Sequence, residues 1–436
     1  MTVVAVAPAP AGHTVSAAKI GDRAIALLVF LGAFVIYEPA PYELLLCVVL
    51  FAWLIAGLRI NRYILPLVLL FLAFIVGCAL SLTQLPDPPS GILYLAVSGL
   101  LAVSAMFFAA VIPEAPERRL KLIVKAYTAG AVIAAMVGIL GYFGIIPGGE
   151  FFTLYGRAKG PFQDPNVFGP FLVLPFVYLV HTILTGRPRD MRWQALFAMV
   201  ILTAIFLTFS RAAWAMTALA LLITTTVAYI NQRSGAGRVR IMGYMTAGFL
   251  LVIVLVGVML SLPGTGDLFS QRAQLVQYYD GGEGGRFDRW IQGFIMMLDH
   301  PLGIGPLEFG ARYFAEDEHN TWLKAFTTYG WLGGVAYVAL AIWTVIITVP
   351  LLFKPRPWRA VVVCAFAVFI GQLSIHFVID NDHWRHLFLL YGILWGAYAA
   401  ERMYMRGSAA MPRVPPVPTF RVALERGPGQ ALPRPL

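Results

Sequence analysis

The chain has 436 residues, of which 59% are hydrophobic and 12% charged, and its formal net charge is +10. This composition is too apolar for a soluble domain and indicates a protein with many membrane spans. Its basic residues lie in short clusters between apolar runs, a pattern that reports membrane topology and argues against a nucleic-acid partner.

A spanning helix needs about 20 mostly apolar residues. The apolar runs of the sequence therefore predict an all-α polytopic membrane protein with about twelve transmembrane helices. The predicted spans lie near residues 24–37, 43–58, 63–82, 91–112, 121–146, 166–184, 193–209, 212–230, 241–262, 325–350, 358–378 and 385–401. The weakest are the first, which is short, and the pair divided between residues 209 and 212.

Three regions follow from these spans. Residues 1–22 are expected to be a cytoplasmic N-terminal segment without the features of a signal peptide, and residues 23–402 the transmembrane domain. Residues 403–436 form a cytoplasmic tail, which is rich in proline from Met411 onward and is expected to be disordered.

The distribution of charge predicts the orientation. With the N-terminus in the cytoplasm, 23 of the 32 basic residues fall inside and 16 of the 22 acidic residues fall outside. This satisfies the positive-inside rule with both termini in the cytoplasm. The two longest connections, residues 147–165 and 263–324, then lie on the outer face, the second between helices 9 and 10. Long loops usually carry function, so a site is expected there.

Nine basic residues break the positive-inside pattern, and all lie at helix ends or in the two long outer loops. They are Arg157, Lys159, Arg211, Arg272, Arg286, Arg289, Arg312, Lys324 and Arg385. An anionic ligand is the simplest reason to keep cations on that face, and a diphosphate suits guanidinium groups, which bind phosphate oxygens in pairs.

Arg211 is the clearest of these cations, because it interrupts two apolar runs and must lie near the hydrocarbon boundary. The alternative to ligand binding is an arginine that reaches the lipid headgroups. Arg286 and Arg289 follow a glycine-rich stretch and begin a segment of helical periodicity, which suits an anion site. The alternative there is an interfacial amphipathic helix.

Arg157 and Lys159 are further candidates for the anion site. They precede Asp164 and Asn166, whose position beside Pro165 is typical of a turn and helix cap.

His319 is the candidate catalytic residue. It lies in EHN at the end of the long outer loop, with Glu316, Asp317 and Glu318 available to orient it. An imidazole in such a place is able to accept a proton from a hydroxyl at neutral pH. The alternative is a hydrogen-bonded polar residue without a catalytic role.

Other histidines and the cysteines give no firm metal signal. His383 and His386 are spaced for one helix face, but an interfacial polar cluster explains them better than zinc does. Cys47, Cys78 and Cys364 lie in apolar runs without close spacing, so no disulfide or zinc site is indicated. We expect neither a metal nor a cofactor.

Several motifs together resemble the O-antigen ligase and Wzy-type polymerase superfamily of bacterial envelope enzymes. The main one is His319-Asn320, nine residues, Gly330, two residues and Gly333. Supporting motifs are Ser210-Arg211, the Arg286–Gly305 stretch with Trp290, Pro301 and Gly303, and Asp164-Pro165-Asn166. The departure is Trp290, where the family pattern suggests an aliphatic residue.

The resemblance implies an inverting, metal-independent glycosyltransferase of the bacterial inner membrane, with its active site facing the periplasm. Its donor would be an undecaprenyl-diphosphate-linked glycan and its acceptor lipid A core, as in a ligase, or another lipid-linked glycan, as in a polymerase. On this template His319 is the base, Arg211 and Arg286 hold the diphosphate, and Asn320 adds to substrate binding.

Two other classes of protein fit the sequence less well. A transporter of lipid-linked glycans shares the many spans, but transporters usually place charges at the membrane midplane or in broken helices. A structural scaffold does not account for arginines kept on the outer face.

Overall fold

The computed structural model describes residues 11–186, 191–261, 265–272, 281–282, 284–314 and 316–410. The proline-rich tail from Met411 lies outside the described residues, and so does the side chain of Arg272.

The described chain is almost entirely helical. Its helices are α1 (Ala11–Leu31), α2 (Pro41–Ile55), α3 (Leu65–Ser81), α4 (Pro88–Val111), α5 (Pro116–Tyr142), α6 (Pro165–Thr185), α7 (Met191–Leu207), α8 (Arg211–Asn231), α9 (Gly235–Ser261), α10 (Thr265–Arg272), α11 (Arg286–Asp299), α12 (Thr321–Thr348), α13 (Arg359–Ile375) and α14 (Arg385–Ala410). One antiparallel hairpin, β1 (Thr153–Leu154) and β2 (Arg157–Ala158), lies between α5 and α6.

Every predicted span coincides with a helix, although α1 begins at Ala11, well before residue 24. Seven helices in the described ranges are long and apolar enough to cross a membrane, and three more are apolar but shorter, at 10–17 residues. The all-α, multi-pass membrane class is therefore confirmed. The number of spans and the sidedness of the loops stay predictions.

The break between α7 and α8 needs only three residues. Phe209 adopts a left-handed backbone with φ of 46°, and the Ser210 hydroxyl caps α8 by accepting a hydrogen bond from the N–H of Ala213 at 3.4 Å. A capping serine starts a helix without a loop, so Arg211 becomes the first residue of α8.

Helices α3 and α12 pack through glycine. A Cβ atom on Gly77 of α3 would lie 2.5 Å from the backbone nitrogen of Gly333, so only hydrogen fits there. Gly330 interrupts α12 with φ of 67° and ψ of −177°. At this kink the N–H of Trp331 donates to the carbonyl of Pro301 at 2.9 Å, and the N–H of Ile304 donates to the carbonyl of Thr327 at 2.7 Å. Gly330 thus lets the long loop attach to α12, and Gly333 lets α12 pack against α3.

Candidate active site

One cavity of about 490 Å³ collects side chains from distant parts of the chain. Its polar lining includes Arg157, Asn166, Arg211, Arg286 and His319. Its apolar lining comes mainly from the start of α8 and from the end of α13 with the loop that follows it. Three arginines and the histidine singled out from sequence therefore meet in one place.

Arg157 is held firmly in this cavity. It is only 7% exposed, and its Nε atom donates to the carbonyl of Thr208 at 2.7 Å. Its Nη2 atom donates to Oδ1 of Asn166 at 2.7 Å. The Asp164 side chain caps α6 and accepts from the N–H of Asn166 at 2.6 Å. Arg157 thus ties the hairpin to the start of α6 and to the α7–α8 break.

Arg211 and Arg286 are each the first residue of a helix, α8 and α11 respectively, and both are half-buried. A helix N-terminus already carries a partial positive charge, so an arginine there is unfavourable for the helix by itself. Two helix N-termini and their arginines at one cavity form a strongly electropositive surface, which suits an anion.

His319 lines the same cavity, with a left-handed backbone of φ 49°. Its Nδ1 atom lies 3.1 Å from Oδ2 of Asp380, and its Nε2 atom lies 3.9 Å from Oε2 of Glu316. The histidine side chain is 37% exposed, which leaves it accessible from the cavity. Non-glycine residues in this conformation are uncommon and are often found at functional sites.

Neighbouring hydrogen bonds fix this geometry. Asn320 caps α12, its Oδ1 atom accepting from the N–H of Leu323 at 3.2 Å. The N–H of Thr321 donates to the carbonyl of His376 at 2.7 Å, and the N–H of Asn381 donates to the Thr321 hydroxyl at 2.9 Å. The start of α12 is therefore joined to the α13–α14 loop, which carries Asp380.

Two buried acids, Glu318 and Asp382, flank this contact between α12 and the α13–α14 loop in the sequence. Glu318 is 1% exposed and Asp382 is 3% exposed. Burial raises the pKa of Glu318 to about 7, against the opposing effects of Lys324 and of a hydrogen bond from Thr327. Burial alone would raise the pKa of Asp382, but Lys324 and hydrogen bonds from His383 and Tyr329 outweigh it and hold that pKa well below its usual range.

The remaining predicted site residues have other contacts. Arg289 is buried and pairs with Glu316 at 2.9 Å. Glu316 is the acid whose carboxylate lies 3.9 Å from the His319 imidazole. Lys159 lies over the ring of Phe151, with its Nζ atom 5.6 Å from the centroid. Asn320 has the capping role described above.

Other cations that break the positive-inside pattern are paired with acids. Lys324 lies 3.5 Å from Asp317, and Arg312 lies 3.9 Å from Glu308. Arg385 pairs with Glu38 at 2.9 Å and also with Glu43.

The sequence did not single out Asp380 as the partner of His319, nor Trp290 as a lining residue. Of the three acids considered, Asp317 pairs with Lys324 and Glu318 with Thr327, while only Glu316 approaches the imidazole. The Trp290 indole donates to the carbonyl of Glu318 at 2.9 Å and helps place the histidine. The only signal for Asp380 was an acidic run at the end of a predicted span.

His383 and His386 have different surroundings. The Nε2 atom of His383 lies 2.8 Å from the hydroxyl of Ser98. Across the described ranges, no group of three or more His, Cys, Asp or Glu side chains is placed to hold a metal ion.

Fold and site together define a multi-pass, all-α membrane protein with a basic, histidine-lined cavity. The family model for O-antigen ligase, Wzy_C, matches residues 195–338, which include Arg211, Arg286 and His319. The match over these residues confirms the resemblance seen in the sequence and supports membrane glycan transfer in general. No curated protein matches the chain.

Proposed function

We propose that the protein transfers a glycan from an undecaprenyl-diphosphate carrier to an acceptor hydroxyl at the periplasmic face of the bacterial inner membrane, as an O-antigen ligase does with lipid A core. The observation that carries this proposal is the meeting of Arg157, Arg211 and Arg286 with His319 in one cavity. On this view twelve helices span the membrane and the long loop before α12 is periplasmic.

The diphosphate of the donor binds at the N-termini of α8 and α11. Arg211 and Arg286 contact its oxygens, while Arg157 supports the site from the hairpin. Ala212, Ala215, Met216 and Leu219 form an apolar stripe on α8 that lines the same cavity. Their spacing of three and four residues places them on one helix face, which suits the polyprenyl chain.

His319 acts as the general base. Asp380 accepts a hydrogen bond from Nδ1–H, which fixes the tautomer and leaves the lone pair of Nε2 for the acceptor hydroxyl. The acceptor oxygen attacks the anomeric carbon from the face opposite the diphosphate, so the configuration inverts. The bond from that carbon to the diphosphate oxygen breaks, and the hydroxyl proton passes to Nε2 as the new glycosidic bond forms.

Charge on the departing diphosphate increases as the bond breaks. Fixed guanidinium groups and helix N-termini stabilise that charge without reorganising, which usually makes the largest contribution to such a reaction. A positioned base adds about a hundredfold to ten-thousandfold. The chain's own residues supply both contributions, so the proposal needs no metal.

A polymerase that joins lipid-linked repeat units uses the same chemistry with a different acceptor. The test is a transfer assay with purified protein and an undecaprenyl-diphosphate glycan, offered lipid A core or a second lipid-linked glycan, in EDTA. Glycan on lipid A core identifies a ligase, and a ladder on the prenyl carrier identifies a polymerase. If neither forms with an active donor preparation, the proposal is wrong.

A further inference from the structure

The α13–α14 loop borders further cavities besides the first one. Val378 and Ile379, at its start, line the first cavity. His383, near its end, lines two others of about 160 and 300 Å³. These two share Glu38, His383 and Arg385, so they form one depression, which we call the α14 pocket.

His386, one of the residues that line this pocket, has a buried ring nitrogen without a hydrogen-bond partner among the described residues. The residue is 6% exposed and lines the smaller cavity, and within the described part of the chain its Nε2 atom has no hydrogen-bond partner. Buried polar atoms in proteins are nearly always hydrogen-bonded. The ring of Trp384, whose centroid lies 5.1 Å from that of His386, adds an aromatic surface beside it.

The charge of the α14 pocket differs from that of the first cavity. Arg385 lies between Glu38, at 2.9 Å, and Glu43, so the three groups together carry one net negative charge. That charge disfavours a diphosphate. Carboxylate and imidazole groups are good partners for hydroxyl groups, and an indole beside them offers a flat apolar surface. A neutral sugar fits this chemistry.

The larger cavity of the pocket continues along one face of α4. It is lined by Ser90, Leu93, Tyr94, Val97, Leu100 and Leu101, whose spacing of three and four residues forms a stripe. Since α4 is one of the helices apolar enough to span a membrane, this stripe provides a place for an alkyl chain beneath a polar headgroup.

We propose that the α14 pocket binds the acceptor as a glycolipid, with a neutral sugar against His386, Glu38 and Arg385 and an alkyl chain along α4. This inference rests on the proposed glycan transfer. Donor and acceptor then occupy separate cavities, one basic and one weakly acidic, on either side of the loop that carries Asp380.

The test is photolabelling of the full-length protein in nanodiscs, using an alkyl glucoside with a diazirine in its alkyl chain. His319→Ala serves as the background, so that no transfer is required. We expect the label on the α4 peptide that contains residues 93–101. Leu93→Trp should reduce it by about fivefold or more, whereas Ile92→Trp, also exposed on α4 but outside the pocket lining, should not. His386→Phe should lower labelling about threefold to tenfold, the effect of one lost hydrogen bond.

Equal labelling of the Leu93→Trp and Ile92→Trp variants would overturn the proposal. So would equally strong labelling by an alkyl phosphocholine of the same chain length, since the pocket would then be a site for ordinary lipid. Because labelling does not depend on turnover, this result is independent of whether the transfer assay succeeds.

Discussion

The Nδ1 atom of His319 lies 3.1 Å from Oδ2 of Asp380, although the two residues are 61 positions apart in the chain. Asp380 is mostly buried, with 15% of its side chain exposed, whereas the imidazole is 37% exposed. The carboxylate is therefore in a position to fix the histidine tautomer, while the imidazole stays accessible at the cavity that it lines.

Replacement of Asp380 by Asn tests this pairing. An amide offers a donor as well as an acceptor, so it can hold the imidazole in the wrong tautomer. We expect kcat for glycan transfer to fall by about a hundredfold or more, with little change in donor affinity. The matched control is Asp87→Asn, at an exposed residue that makes no side-chain cap hydrogen bond. Wild-type kcat in Asp380→Asn would show that the pairing is structural only.

Replacement of His319 by Asn tests the base itself. Asn tolerates the left-handed backbone that His319 adopts, so the loop should keep its shape. Transfer should fall by at least about a hundredfold while the protein keeps its thermal stability and still binds donor. His300→Asn, at a histidine bonded to the carbonyl of Met296, is the control and should remain active. Normal glycan transfer by His319→Asn would remove the catalytic role.

Substitution of Arg211 or Arg286 by Lys keeps the positive charge but removes the planar guanidinium group, which is able to bind two phosphate oxygens at once. If the guanidinium groups hold a diphosphate, the KM for the donor should rise by about tenfold in each variant, because bidentate contacts are lost. Arg312→Lys is the control, since Arg312 is exposed and only 3.9 Å from Glu308. An unchanged KM for Arg211→Lys would favour an arginine that interacts with lipid headgroups instead.

Glu318 should make the protein less stable as the pH rises towards about 7, which is the reverse of the usual effect of a carboxylate. Because its pKa in the folded protein is raised from 4.5 to about 7, the folded state binds more protons than the unfolded state between those values. Its contribution to stability is therefore greatest below about pH 4.5 and is lost as the pH rises to about 7. Thermal unfolding from pH 5 to 8 should show a smaller loss of Tm in Glu318→Gln than in the wild type. Parallel curves for the two proteins would contradict this.

Close packing of α3 against α12 gives a stability prediction. A Cβ atom on Gly77 would lie 2.5 Å from backbone nitrogen, so Gly77→Ala should destabilise the protein by about 1–3 kcal/mol and lower its Tm. Gly257→Ala on α9 meets nothing within 4 Å and should leave Tm unchanged or slightly raised. If both variants unfold at the same temperature, the helices are able to separate more than the structure indicates.

Much of the helical architecture could be predicted from the chain itself, because the bilayer sets the length of apolar segments. The division between α7 and α8 was also predicted, from the two apolar runs that Arg211 interrupts, and so was the helix after the glycine-rich stretch, from its helical periodicity. The early start of α1 was not predicted, because residues 11–23 lack the apolar character that marked the other spans.

For the site, the sequence by itself determined which residues have the right chemistry: outer arginines that break the charge pattern, and a histidine among acids and an amide. Only the tertiary structure decided which of them meet. It placed Arg157, Arg211 and Arg286 with His319 at one cavity, paired Arg289 with Glu316, and brought Asp380 to the imidazole. The reason is physical: local signals set helix limits and caps, whereas contacts between residues far apart in the chain depend on how helices pack, which no short stretch of sequence specifies.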